Sequence, residues 1–149
     1  MNDKVILLVD DNLSDIELTK RAFLKNGISN KLIVAEDGQQ ALDYLFGDGE
    51  HSARDTADLP VLILLDLKLP RIEGLEVLRR LRADSRTRRI PVVILTSSNE
   101  EQDVAAGYDL GTNSYIRKPV DFHQFADTIK QLGMYWLVTN QPPPHGGRR

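Results

Sequence analysis

The sequence predicts an α/β fold, a doubly wound parallel sheet of five strands with helices on both faces. Short apolar runs alternate along the chain with amphipathic helical patterns, as they do in proteins built on a parallel sheet. Three runs are uninterrupted, which is typical of strands buried on both faces, and they span residues 5–9, 61–65 and 92–95. Each of these runs ends in polar residues, and open α/β sheets place their ligand sites at the carboxyl ends of their strands.

Length, charge and composition narrow the class of protein. At 149 residues and a formal net charge of −3, we expect one domain over residues 1–140 and a flexible tail at 141–149. No cysteine is present, which excludes disulfides and thiol chemistry and suits a cytoplasmic protein. The apolar run near the N-terminus is too short to span a membrane and lacks a signal-peptide pattern, so we expect no membrane association.

Arginines are concentrated at residues 79–82 and 86–89, whereas the other basic residues are scattered. Such a cluster is compatible with binding to RNA or DNA, but no aromatic residues are interleaved to stack on bases. Cations also suit the C-terminus of a helix electrostatically. We therefore interpret the cluster as a solvated helix end and loop, and we expect no direct contact with nucleic acid.

The first half of the chain contains two predicted helices and a second strand. The first helix is predicted to begin near Ser14, an N-cap candidate, because Glu17 three residues later completes a capping box. Gly27 suits the end of this helix. A weaker apolar run predicts a strand over residues 31–35, and a helical pattern follows over residues 38–46.

The second half begins with a polar segment at about 47–60, which we predict to be a loop insertion. We interpret it as a solvated connection rather than a partner-binding segment. The remaining predicted elements are a helix over 74–82, a short polar helix over 98–107, a strand over 112–116 and a last helix capped by Asp121. The last helix is predicted to be extended, because its apolar residues continue to Val138.

Three acidic residues follow predicted buried strands, Asp10 and Asp11 after the run at 5–9 and Asp66 after the run at 61–65. In neighbouring parallel strands these carboxylates meet at one rim and repel one another unless a cation joins them. Hard oxygen ligands beside a phosphate suit Mg²⁺, with Asp11 and Asp66 as direct ligands and Asp10 acting through water. For Asp10 and Asp11 alone, a loop start that caps the next helix is an equally good interpretation.

Asp66 also has the position expected of a nucleophile, because a carboxylate oxygen that attacks phosphorus forms an acyl phosphate. Phosphoryl transfer requires mainly positioning and charge neutralisation, for which Thr96 supplies a hydroxyl and Lys118 a positive charge. The sequence contains neither GxxxxGK[ST] nor GxGxxG after a strand, so nucleotide binding by those routes is unsupported. Lys68 stands two residues after Asp66, where aspartyl-phosphate hydrolases have a second acid, which argues against a metal-dependent phosphohydrolase.

Together these residues resemble the receiver domain of two-component response regulators, over about residues 4–138. The matching pieces are Val9-Asp10-Asp11, Leu65-Asp66 with Leu69-Pro70 and Gly74, Leu95-Thr96-Ser97, and Tyr115-Ile116-Arg117-Lys118-Pro119. Each piece alone is weakly specific, whereas the combination is highly specific. The resemblance implies the flavodoxin-like receiver fold, in agreement with the fold predicted from the alternating pattern.

The resemblance also implies a function and a set of site residues. Asp66 would accept a phosphoryl group from a phosphohistidine on a sensor histidine kinase, and Lys118 would pair with that group. The implied Mg²⁺ ligands are Asp10, Asp11, Asp66 and the backbone carbonyl of Lys68. Thr96 and Tyr115 would move together when the phosphoryl group arrives, which changes a protein-interaction surface.

The resemblance also implies partners, whereas the apolar end of the last helix predicts the assembly. The loop insertion and extended last helix make the chain similar to stand-alone receivers that work with bacterial and cyanobacterial phytochrome kinases. Such a protein is a signalling switch that catalyses only its own phosphorylation and dephosphorylation and acts through an output protein not identified by the sequence. Residues 134–138 cannot all face the core, which predicts a homodimer through the last helix, unless they fold back on the domain. A phosphorelay intermediate that passes phosphate to another histidine, and an interaction module independent of phosphorylation, are the alternatives.

Overall fold

Five parallel strands form a single sheet in the order β2-β1-β3-β4-β5. The computed structural model describes residues 5–25, 27, 28, 30–47, 59–96 and 114–117. The strands are β1 (Val5–Val9), β2 (Lys31–Ala35), β3 (Leu62–Leu65), β4 (Val92–Thr96) and β5 (Ser114–Arg117). The helices described between them are α1 (Leu13–Lys25), α2 (Gly38–Phe46) and α3 (Gly74–Ala83). This strand order is that of flavodoxin-like folds, so the predicted fold class is confirmed.

Successive residues of the central strands pack on opposite faces of the sheet, because side chains alternate along a strand. Leu7 and Val9 of β1 belong to the apolar cluster that contains the inward residues of α2 and α3. Ile6 and Leu8 belong to the second cluster, which contains the inward residues of α1. All four side chains are fully buried, and each such burial contributes roughly 1.5–3 kcal/mol to folding. Helices on both faces explain why the strand sequence is apolar without interruption.

The element boundaries agree with the predicted ones to within two residues. The predicted bounds of β1, β2 and α2 match those of the structure. For the other strands and for α3 the differences are one or two residues, which is the usual uncertainty at element ends. Residues 48–58 of the predicted insertion, the predicted helix over 98–107 and the predicted last helix lie outside the described residues.

The predicted N-cap of α1 is wrong. The backbone N–H of Asp15 donates to Asn12 Oδ1 at 3.0 Å, so Asn12 caps the helix. Ser14 lies inside the first turn and is exposed, and Glu17 pairs with Lys20 at 3.7 Å instead of closing a capping box. Asn caps helices as well as Ser does, so the place where the chain leaves β1 decides which residue takes the role.

The arginine cluster lies at the end of α3 and in the loop that follows. Its contacts include ion pairs of Arg79 and Arg80 with Glu76 and of Arg86 with Asp84, and hydrogen bonds from Arg82 to the carbonyls of Arg88 and Ile90. Hydrogen bonds from Arg79 and Arg80 lower the pKa of Glu76 to about 2. These intramolecular contacts fit the interpretation of a solvated helix end. Among the described residues, no helix has the length and apolar character that crossing a membrane requires.

The Asn12 cap predicts a difference between two neighbouring alanine variants. Asn12→Ala removes the side-chain acceptor of the Asp15 amide and is expected to lower the free energy of unfolding by about 1 kcal/mol. Ser14→Ala removes an exposed hydroxyl within the helix and should change that free energy by less than about 0.5 kcal/mol. Urea unfolding of both variants measures the difference, and equal stabilities would contradict the cap assignment.

Candidate functional site

Asp10 and Asp66 lie side by side because they follow the adjacent parallel strands β1 and β3. The backbone N–H of Asp66 donates to the Val9 carbonyl at 2.9 Å, which continues the strand pairing beyond Leu65. On the other side of β1, the N–H of Asp10 donates to the Ala35 carbonyl at 3.0 Å. Both backbones are therefore fixed by the sheet, and both side chains start from its carboxyl edge.

Each of these two carboxylates is also held by its own turn. Asp10 Oδ1 accepts from the N–H of Asn12 at 3.0 Å, and Asp66 Oδ1 accepts from the N–H of Lys68 at 3.2 Å. In both cases the acceptor lies two residues before the donor, which is the geometry of an Asx turn. The contacts restrict the rotation of two side chains that are 1% and 8% exposed.

Asp11 completes a group of three carboxylates. One oxygen each from Asp10, Asp11 and Asp66 can lie within 4.8 Å of the others, and Asp11 is exposed whereas the other two are buried. Negative charges this close repel one another, and burial strengthens that repulsion. A divalent cation removes the repulsion and prefers hard oxygen ligands. The predicted convergence of the three residues is confirmed, and the donor set fits a divalent metal ion.

The other predicted site residues are described only in part. Thr96 is the last residue of β4 and pairs in register with Arg117, the last residue of β5. Tyr115 pairs with Ile94, and Lys118 follows β5 just outside the described residues. The backbones of Thr96 and Tyr115 thus belong to the two strands beyond β3, but their side chains lie outside the description, and their roles stay predictions.

Gly74 has a structural role that helix patterning did not reveal. It is the first residue of α3, and its N–H donates to the Leu67 carbonyl at 2.9 Å. A Cβ at this position would lie 2.2 Å from the backbone oxygen of Asp66 and 2.6 Å from Leu67 Cα. Only a glycine lets α3 approach the backbone of Asp66 so closely. The signal in the sequence is a glycine, a poor helix former, at the start of a helical pattern.

Comparison with known proteins agrees with the geometry. Residues 6–130 match the family model of the response regulator receiver domain. The probable methanogenesis regulatory protein FilR2 of Methanothrix harundinacea is 39% identical over 142 residues, which cover 93% of this chain and 87% of the relative. Response regulator Rcp1 of Synechocystis sp. is 38% identical over 136 residues, which cover 91% of this chain and 90% of Rcp1.

Solved structures extend this similarity to the fold. The Mn²⁺-bound form of Rcp1 superimposes with a TM-score of 0.84 at 37% identity, covering 95% of this chain and 99% of that one. The bacteriophytochrome response regulator RtBRR superimposes with a TM-score of 0.78 at 51% identity, covering 97% of this chain and 86% of that one. Receiver domains bind a divalent metal in an acidic pocket, and the three carboxylates form such a pocket here.

Repulsion within the acidic group predicts an unusual response to Asp11→Asn. Without a divalent cation the variant should be more stable than the wild type by at least about 1 kcal/mol, because two repulsive contacts become neutral. Adding MgCl2 should stabilise the wild type and leave the variant almost unchanged. Urea unfolding with and without MgCl2 measures both effects. Asp43→Asn on α2 is the control, and an equal response of Asp11→Asn and wild type to the cation would contradict the site.

The close packing of Gly74 predicts a steric effect on the same site. Gly74→Ala should cost about 1–3 kcal/mol and weaken Mn²⁺ binding, because the new methyl group displaces the backbone of Asp66. Gly27→Ala is the control, since Gly27 has a φ of +69° and open space around it. That variant should cost about 1 kcal/mol through backbone strain and leave Mn²⁺ binding unchanged. Denaturation and Mn²⁺ titration measure the two effects separately.

Proposed function

This chain belongs to the response regulator receiver domain family, and from this premise we propose that Asp66 accepts a phosphoryl group from a phosphohistidine. Receiver domains are signalling switches, and they interact with histidine kinases. The observation that carries the proposal is the group of Asp10, Asp11 and Asp66 at the carboxyl ends of β1 and β3. The phosphorylated protein then acts by changing a surface that an output protein binds.

The proposed transfer uses the buried carboxylate of Asp66. One of its oxygens attacks the phosphorus, an O–P bond forms, and the P–N bond to the kinase imidazole breaks. The amide of Lys68 orients the carboxylate through its contact with Oδ1. Mg²⁺, when bound by Asp10, Asp11, Asp66 and the carbonyl of Lys68, supplies positive charge beside the phosphoryl oxygens.

The remaining site residues have proposed roles in neutralisation and switching. Lys118 pairs with the phosphoryl group as a second positive charge, and the Thr96 hydroxyl donates to a phosphoryl oxygen. The Tyr115 ring moves with Thr96. Support comes from the strand order, because β4 and β5 lie on the far side of β3 from β1 and end at the same edge. Lys68 is exposed and is not an acid, which favours a switch over a phosphohydrolase.

The proposed partner is a phytochrome-type sensor histidine kinase in the cytoplasm. The names of RtBRR and of the phosphorylated cyanobacterial phytochrome response regulator RcpA support this pairing, at 51% and 37% identity. The name of FilR2 links that relative to methanogenesis, so another stimulus is the alternative. We further propose that residues 1–140 form the receiver, that 141–149 form a tail, and that the last helix mediates a homodimer.

The proposed chemistry predicts a metal-dependent acyl phosphate. Wild-type protein incubated with acetyl phosphate and MgCl2 should gain one phosphoryl group by intact mass, and omission of the cation should greatly reduce the adduct. Asp66→Asn should abolish the adduct, whereas Asp84→Asn, at the opposite end of α3 from Gly74, should retain it. A folded wild-type protein without an adduct, or an adduct that persists in Asp66→Asn, would contradict the proposal.

A further inference from the structure

We propose that the ion pair between Arg71 and Asp37 is a positioning contact that holds the loop of residues 67–73 in the shape that Asp66 needs to bind a metal ion. The pair joins the loop after β3 to the start of α2. The strand before α2 is β2, which is separated from β3 by β1 in the sheet. This inference rests on the proposed function, because it concerns the same carboxylate. It assigns Arg71 and Asp37 a role in positioning, not in the chemistry.

Arg71 is held in a backbone conformation that an arginine rarely adopts. Its φ is +69°, and among the described residues it is the only non-glycine with a positive φ. The N–H of Ile72 donates to the Pro70 carbonyl at 2.8 Å, so Arg71 is the central residue of a γ-turn. A γ-turn with positive φ is strained, and such strain persists only when surrounding contacts impose it.

Asp37 supplies a contact from outside the loop that favours this conformation. Its Oδ2 lies 3.4 Å from Arg71 Nη1, and its Oδ1 accepts from the N–H of Gln40 at 2.7 Å as the N-cap of α2. The carboxylate is 12% exposed, and the cap fixes it to a helix that packs in the core. The flexible arginine is therefore anchored on an immobile partner.

Two backbone contacts join the same segments. The N–H of Gly38 approaches the Pro70 carbonyl at 3.4 Å. A Cβ on Gly38 would lie 2.1 Å from the backbone oxygen of Ile72, so the loop lies directly against the first turn of α2. The ion pair thus adds a side-chain contact between two segments whose backbones already pack together.

The other part of the loop is joined to Asp66 itself. The N–H of Lys68 donates to Asp66 Oδ1, and the Leu67 carbonyl accepts from the N–H of Gly74. Only two residues, Leu69 and Pro70, lie between Lys68 and the anchored Arg71. Release of Arg71 would therefore loosen the amide that orients the metal-binding carboxylate.

Neutralising the two partners separates positioning from simple electrostatics. Asp37→Asn keeps a side chain that can cap α2 and removes the negative charge of the ion pair. Arg71→Gln leaves the cap in place and removes the positive charge. If only charge mattered, Arg71→Gln would bind a cation more tightly because a nearby positive charge is lost. If the pair positions the loop, both variants bind Mn²⁺ more weakly, by about two- to fivefold, as expected for one partly exposed pair.

The test combines Mn²⁺ affinity with amide hydrogen exchange on the wild type, Asp37→Asn, Arg71→Gln and the double variant. We expect weaker Mn²⁺ binding in both single variants, no further loss in the double variant, and faster exchange of the Ile72 and Gly74 amides. The matched control is the partly exposed pair of Asp84 and Arg86, at 2.9 Å, changed to Asn and Gln in the same way. These control variants should leave both measurements unchanged.

Three results would overturn the inference. Tighter Mn²⁺ binding by Arg71→Gln would show that Arg71 acts only through its charge, and unchanged binding would show that the pair has no role at the metal site. Faster exchange with unchanged affinity would make its role purely structural, and additive losses in the double variant would exclude a shared mechanism. The proposed phosphorylation is tested separately from the role of the ion pair. It would be contradicted by a wild-type protein that binds Mn²⁺ but takes up no phosphoryl group.

Discussion

The pairing of β1 with β3 is the constraint on which the site depends. The hydrogen bond from the Asp66 amide to the Val9 carbonyl extends that pairing by one residue, and it brings a carboxylate from a distant part of the chain beside Asp10. Sequence separation between the two acids exceeds a third of the chain, so local structure cannot bring them together. The core residues of β1 and β3 stabilise this pairing through burial on both faces, and the energy of that burial outweighs the repulsion between the carboxylates.

An acidic group in which two of three carboxylates are buried is costly to the fold and useful to the function. Neighbouring carboxylates without a cation destabilise the native state, and the same repulsion becomes affinity when a divalent ion binds. The two Asx turns prevent the Asp10 and Asp66 side chains from turning away, and the tight approach of Gly74 fixes the backbone of Asp66. The protein therefore pre-forms its ligand set instead of assembling it on binding, which lowers the entropic cost of capture.

Most of the fold and the centre of the site were predictable because they depend on strong local signals. Uninterrupted apolar runs identify β1, β3 and β4, and the polar residues after them follow from the rule for parallel sheets. The N-cap of α1 was not predictable, since Asn12 and Ser14 are chemically equivalent caps and only the tertiary path distinguishes them. The conformation of Arg71 was not predictable either, because arginine has no preference for a positive φ. The proposed partner that favours this conformation is 34 residues away in the sequence.

Asn12 connects the acidic group to α1 with a single residue. Its backbone N–H donates to Asp10, and its side chain accepts from the first turn of the helix, so one residue makes both contacts. A cation that alters the turn at Asp10 when it binds would therefore act on the first turn of α1 through this residue. Coupling of this kind is reciprocal. A macromolecule that binds the start of α1 would change the affinity for the cation by the same factor by which the cation changes the affinity for the macromolecule. Binding at the start of α1 and cation binding at the acidic group would then be two steps of one thermodynamic cycle.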